Sequence, residues 1–252
     1  MISLIIFLMM LVFNMQFPID SYDVKARYAA ALIVVFPLLV VLLSCYNNES
    51  KGAAEIVGGV IYFIAWYFVS VVVRYFGRKV EQVLWASWGG PPSSTIVMWS
   101  SGRIGDEAKG AYHDCVHRVF GVRLFSKDEE LLDVCSAMKR IDDVFVLIRS
   151  YIRKHDKGGL WDSANAEYGF ARNLYGARWL WLLVSICATM LSAYMWYVNN
   201  NNMTLLGLSL NVIFLVSSLC VGFYVIRRVA ENNAYRYAEA AWESFFVNSQ
   251  SW

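Results

Sequence analysis

Charge is scarce in this sequence. Asp, Glu, Lys and Arg make up 17% of its 252 residues, and from Trp179 to Ile226 there is none of them and no His. Only the polar patch Asn199–Asn202 interrupts this run. A helix in a soluble core rarely stays uncharged on every face over such a length, so that class is excluded here. Split as 179–198 and 203–226, the run gives two segments, each long enough as a helix to cross a hydrocarbon core of roughly 30 Å. The formal net charge is only +2, too small to indicate a nucleic-acid partner, and no direct nucleic-acid binding is expected. No Walker loop, GxGxxG, GxSxG or aromatic–basic RNA-binding motif is present. Nor is there a CxxC pair. The five cysteines, Cys45, Cys115, Cys135, Cys187 and Cys220, are scattered, and three of them fall in apolar stretches. That usage reads as reduced, buried thiols rather than a disulfide framework. Finally, the apolar segments hold no Asp, Glu, Lys or Arg, whereas proton-coupled transporters keep such groups at membrane depth. Active transport is disfavoured; a passive pore is not.

What is present is apolar surface. Hydrophobic residues make up 58% of the chain, and its mean hydropathy is +0.43. Residues 1–20 form an apolar N-terminal segment with no basic residue ahead of it and no small-residue cleavage pattern before Pro18, a poor signal peptide. It is expected to be a peripheral apolar helix, with a fifth membrane segment or an upstream-start extension as alternatives. Residues 28–46 and 56–73 make a first hairpin of spans. Pro37 permits a kink in the first, and Gly58 and Gly59 permit close helix approach in the second. The second hairpin covers 179–226, and the expected fold class is therefore mainly α. It is a four-span, or five-segment, α-helical membrane protein whose two transmembrane hairpins are separated by a cytoplasmic helical insert, 74–178, and followed by a cytoplasmic C-terminal helix, 227–252.

Basic residues set the orientation. Lys25 and Arg27 precede the first span, and Arg74, Arg78 and Lys79 follow the second. Arg172 and Arg178 precede the third, and Arg227 and Arg228 follow the fourth. The two connecting turns hold only Lys51. The positive-inside rule places both termini and the insert in the cytoplasm.

The insert carries 16 basic and 13 acidic residues. Trp85-Ala86-Ser87-Trp88-Gly89-Gly90-Pro91-Pro92 breaks the helix leaving the second span. Asp106–Phe120 reads as an amphipathic helix with Ala108, Ala111, Tyr112, Cys115, Val116 and Val119 on one face. Residues 126–155 read as one longer helix, opened by a Ser126/Glu129 capping box. Its core stripe is Leu131, Val134, Cys135, Met138, Ile141, Phe145, Ile148 and Ile152. A helix from Asp162 runs on into the third span. After the fourth, 229–247 continues helically with Ala230, Ala234, Tyr237, Ala241 and Phe245 on one side.

His113 and His117, four apart on a helix, are candidate metal ligands, but a third ligand is wanting and HExxH is absent. The plainer reading is two exposed histidines on a polar flank. Trp85 and Trp88, at i and i+3, are candidates for resting at the headgroup level. Arg172, in a helix with Glu167 that reaches the membrane, is a candidate partner or headgroup contact; its plainer role is a snorkelling anchor. The acids Asp142-Asp143 and Asp128-Glu129-Glu130 look like solvated helix faces. Ala188 with Ser192, and Ser218 with Gly222, form small-residue stripes for helix packing, and Asn211 is placed to hydrogen-bond a neighbouring helix. No cofactor is indicated.

Leu84-Trp85…Trp88-Gly89-Gly90-Pro91-Pro92 and Tyr168-Gly169-Phe170…Arg172-Asn173-Leu174 resemble motifs of an uncharacterised family of bacterial multi-pass membrane proteins, over roughly residues 21–230. The resemblance implies a bacterial inner-membrane protein and transfers no catalytic residue. The leading expectation is a non-enzymatic homo-oligomer in the lipid bilayer, whose insert docks a cytoplasmic protein partner as an effector or sensor in defence or stress response. The alternatives are a passive channel and a membrane-associated metal-dependent enzyme using His113 and His117.

Overall fold

The computed structural model describes residues 21–44, 53–156 and 159–250. The apolar segment 1–20 and the turn expected at 47–51 lie outside the described residues. Among the described residues the structure is helical and contains no strand. Ser21–Asp23 and a π-helical turn, Val24–Tyr28, lead into α1, Ala29–Ser44. Then follow α2, Ala53–Ser87; the short α3, Pro92–Thr95; α4, Asp106–Phe120; α5, Lys127–Leu132; and α6, Val134–His155. The remainder is α7, Leu160–Gly176; α8, Arg178–Asn199; α9, Asn202–Cys220; a second π-helical turn, Val221–Val225; and α10, Ile226–Ser249. Among the described residues four stretches are long and apolar enough to cross a membrane: Val24–Ser44, Val57–Thr95, Arg178–Asn199 and Asn202–Ser249. The chain divides into two compact units, Met1–Val80 with Gly169–Val229, and Glu81–Tyr168 with Ala230–Trp252.

In the first unit α8 and α9 pack together, joined by a tight turn. Asn200 takes the left-handed conformation at φ 41°, and the Asn201 side chain caps α9 by accepting from the Thr204 amide. The main neighbours of α1 are α8 and α9, and its Ala30, Ala31, Val34 and Val35 are buried. Phe36 and Phe214 meet with ring centroids 5.2 Å apart. α2 meets the first π turn, where the Trp66 indole donates to the Tyr28 carbonyl (3.1 Å) and the Arg27 guanidinium to the Ser70 hydroxyl (3.0 Å). Residues of α7 serve this crossing, Gly169 and Asn173 from the motif marked in the sequence and Gly176 from beyond it. Gly169 faces Tyr22 and Ala26, the Asn173 amide donates to the Ala26 carbonyl (2.8 Å), and Gly176 lies on the backbone of Phe76 and Gly77.

The polarity of this unit runs opposite to that of a soluble bundle. Ser70, Ser185, Ser192, Thr204, Asn211 and Ser218 are buried. Large apolar side chains face outward, among them Ile61, Phe68 and Tyr75 of α2, Leu183 and Met190 of α8, and Ile213 and Val216 of α9. Cys187 and Cys220 are exposed on that outer surface, and Cys135 is exposed in the second unit. Of the described cysteines only Cys115 is buried, so the expectation of buried thiols is corrected to free thiols that are mostly exposed.

The second unit has a conventional apolar core. Ile141, Phe145, Ile148 and Ile152 of α6 pack with Cys115 and Val116 of α4 and with Ala238, Ala241, Trp242 and Phe245 of α10. α4 has the bounds its pattern indicates, although Ala108 is exposed and Lys109 buried instead. The stretch 126–155 is two helices, not one. The Ser126/Glu129 capping box opens α5, and Asp133, at φ −146°, ends it and caps α6 through the Ser136 amide. That break rotates the first turns out of register with the stripe. Leu131, Val134 and Cys135 are therefore exposed, while Ala137 and Val144 take buried places.

Candidate functional site

The loop between α3 and α4, residues 96–105, is held by two buried charges. Glu130 is 2% exposed and Lys109 1%. The Glu130 carboxylate accepts from the amides of Trp99 and Ser100, both at 2.8 Å. The Lys109 ammonium donates to the carbonyls of Trp99 (3.2 Å) and Ser101 and pairs with Asp106 at 3.1 Å. The Trp99 indole donates to the Phe125 carbonyl (2.9 Å). Removing a carboxylate and an ammonium from water costs several kcal/mol each unless their hydrogen bonds are replaced. Here every replacement partner but one is loop backbone, so both charges serve to fix the loop.

The fixed loop forms one wall of an open groove of about 270 Å³, lined by Ser100, Ser101, Arg103, Met98, Trp88 and Tyr235, with Met138 and Val134 beside them. Gly89 and Gly90, at φ 82° and 134°, turn the chain sharply after Trp88, and a side chain on Gly90 would strike the Met138 sulfur. The Arg103 guanidinium lies flat on the Tyr235 ring, 3.3 Å from its centroid. No described carboxylate pairs with it. The Trp88 indole N–H is buried without a hydrogen-bond partner. The groove thus sets the Arg103 guanidinium beside an apolar floor that carries the Met98 and Met138 sulfurs, with no acid in its lining. The Glu130 carboxylate is held by the loop amides, and Asp142 accepts from the Ser94 hydroxyl.

The residues singled out from sequence fall in different places. His113 is half-buried and its Nε2–H donates to the Val97 carbonyl at 3.0 Å, with its ring edge-on to Trp99. Burial is the main cause holding its pKa below the ordinary 6.5. His117, one turn further along the same helix, is exposed. No group of three or more His, Cys, Asp or Glu among the described residues could hold a metal ion. Trp85 and Trp88 both turn into the second unit, and Trp85 donates to the Tyr168 hydroxyl, which donates to Glu81 (3.1 and 2.9 Å). Arg172 is 9% exposed; Glu167 pairs with Arg236 at 3.0 Å. Ala188, Ser192, Ser218 and Asn211 are buried within the first unit, where the Asn211 amide donates to the Ser192 hydroxyl at 2.7 Å. Gly222 packs on Trp181 and Arg178. Both small-residue stripes are thereby occupied inside one chain.

Sequence reasoning passed over Arg103, Tyr235 and Lys109, and its reading of Glu130 as part of a solvated acidic face is corrected, because the carboxylate is buried on the amides of Trp99 and Ser100. One signal was available: a lone basic residue in the small-residue loop Ser100-Ser101-Gly102-Arg103-Ile104-Gly105. The others share no local pattern. Compared with models of known protein families, with curated proteins and with solved structures, the chain matches none.

Proposed function

We propose that this chain is a non-enzymatic, four-span sensor or effector of a bacterial inner membrane. Its helical second unit lies in the cytoplasm, docks a partner there, and transmits that event to the spans. The observation that carries the membrane reading is the inverted polarity of the first unit, with buried Ser, Thr and Asn and a large outward-facing apolar surface. In water that surface would drive aggregation. In lipid it is solvated, while close packing and hydrogen bonds such as Asn211–Ser192 hold the helices together. The basic residues flanking the spans support the cytoplasmic assignment of the second unit. Since the small-residue stripes are occupied internally, self-association falls to the outer face of α2, where Val60, Ile61, Ile64, Phe68 and Val71 are exposed.

Exposed Cys135 reports on the orientation. A membrane-impermeant maleimide applied to spheroplasts is expected to label it only after lysis, with Cys135→Ser as the control. Labelling of intact spheroplasts overturns the orientation, and release of the protein by alkaline carbonate overturns membrane insertion. Native mass spectrometry from nanodiscs tests the oligomer, and a wild-type protein seen only as monomer refutes it.

A further inference from the structure

We propose that Arg178 and Arg227 form a binding site for the phosphodiester of an anionic glycerophospholipid, at the end of the first unit where the third span begins and the fourth ends. This rests on the membrane reading of the first unit. Arg178 opens α8, and Arg227 follows the π-helical turn Val221–Val225; both belong to the first unit. The half-buried Arg178 is already placed. Its guanidinium donates to the Tyr175 carbonyl (2.8 Å) and stands 4.1 Å from the Tyr175 ring centroid and 5.9 Å from that of Phe223. One N–H is used in this way, and the rest of the planar fork stays open to a phosphate.

Arg227 comes to the same place from the other helix. A β-carbon on Gly222 would lie 3.6 Å from that of Arg178, so Arg178 sits against Gly222 and Phe223. The bonds of a π-helical turn run from i to i+5, which puts Arg227 one turn beyond those two residues and on the same side. Arg227 is exposed, and neither arginine pairs with a described carboxylate. The apolar half of the ligand has a track of its own. The Trp179 ring meets Phe223 edge-on at 4.7 Å. Trp179, Leu183 and Ile186, at i, i+4 and i+7, make an exposed stripe that leads from Arg178 along the outward apolar surface of α8. Two unpaired guanidiniums joined to a lipid-facing stripe fit a lipid of net negative charge; a zwitterionic headgroup would bring a third cation among them.

The full chain in detergent micelles is mixed with equal amounts of dioleoyl phosphatidylglycerol and dioleoyl phosphatidylcholine, and bound lipid is read by native mass spectrometry. Phosphatidylglycerol is expected to bind about tenfold more tightly than phosphatidylcholine. Arg178→Gln should abolish most of that preference, and Arg178→Lys, which keeps the charge but loses the fork, should lower it about threefold. Arg227→Gln should also lower it about threefold, and it carries the test if Arg178→Gln does not fold. Lys25→Gln removes the same charge from the entry of the first span and should leave the preference within about twofold. A loss for Lys25→Gln equal to that for Arg178→Gln overturns the site in favour of unspecific charge, and an unchanged preference in Arg227→Gln overturns it as well. Displacement of the lipid by inorganic phosphate at the same concentration overturns the lipid as occupant. Equal binding of the two lipids by a chain that resists alkaline carbonate removes this site alone. Release by carbonate removes the membrane reading and the site with it.

Discussion

Replacing Gly176 by Ala isolates a close backbone contact between helices in the first unit. Gly176 ends α7 in ordinary helical conformation, so alanine is compatible with its backbone. A β-carbon there would stand 2.6 Å from the Gly77 nitrogen and from the carbonyl carbon and oxygen of Phe76, about 0.8 Å inside the 3.4 Å at which ordinary van der Waals contact begins. All three atoms are backbone, so no side chain can swing away and α2 itself must shift. Overpacking of this kind costs about 1–3 kcal/mol. Alanine recovers at most about 1 kcal/mol of helix propensity, and less at a helix end. The net expectation is a loss of roughly 1–2 kcal/mol. Gly58→Ala in α2 is the matched control, since a β-carbon there meets nothing within 4 Å; it should be neutral or slightly stabilising. Both variants are compared by denaturant titration of the full chain in mild detergent, following helix content. If Gly176→Ala unfolds at or above the midpoint of Gly58→Ala, the close crossing of α7 and α2 is refuted.

Two further perturbations concern the second unit. Glu130→Ala removes a charged acceptor from two amides and should cost about 3 kcal/mol, with new protease cleavage within 96–105; a variant that melts and digests like the wild type would show that the loop is held otherwise. His113 gives an acid-side dependence. Burial lowers its folded pKa despite the opposing hydrogen bond to Val97 and the charges of Glu130 and Asp114, while Lys109 adds to the lowering. The unfolded chain therefore binds the proton first as pH falls below 6.5, and the stability present above that value is lost down to the lower folded pKa. Melting temperature should drop as pH falls below 6.5, and His113→Gln should flatten that drop; an unchanged slope contradicts it. The depressed carboxyls of Asp106, Glu129 and Asp133 act only lower, below the ordinary carboxyl values of 3.8 to 4.5.

The elements that were legible in sequence are those written by local chemistry. The bounds of α4, the Ser126/Glu129 box, and the α10 face of Ala230, Ala234, Ala241 and Phe245 all follow from spacing along one helix. The reading failed where one residue reset the phase. Asp133 accepts from the Ser136 amide, which makes it a cap in the middle of an apparently unbroken periodic run. The neighbours of α1 were illegible for another reason: an almost uniformly apolar helix carries no stripe to mark its packed side. The groove was hidden because Trp88, Arg103 and Tyr235 come from three remote segments, and no periodicity links them.

The discontinuity of the second unit sets a waiting time during synthesis. Trp242 and Phe245, from α10, fill the middle of a core otherwise built from Glu81–Tyr168. Between these two pieces lie the residues Gly169–Val229, which include both α8 and α9. At about 5–20 residues per second, elongation through that interval lasts roughly 3–12 s. Throughout it Ile141, Phe145, Ile148 and Val116 have no α10 to cover them, at the stage when the apolar helices α8 and α9 are leaving the ribosome. A chaperone that shields the α4 and α6 surface for those seconds would therefore govern yield more strongly than the final stability of the folded unit.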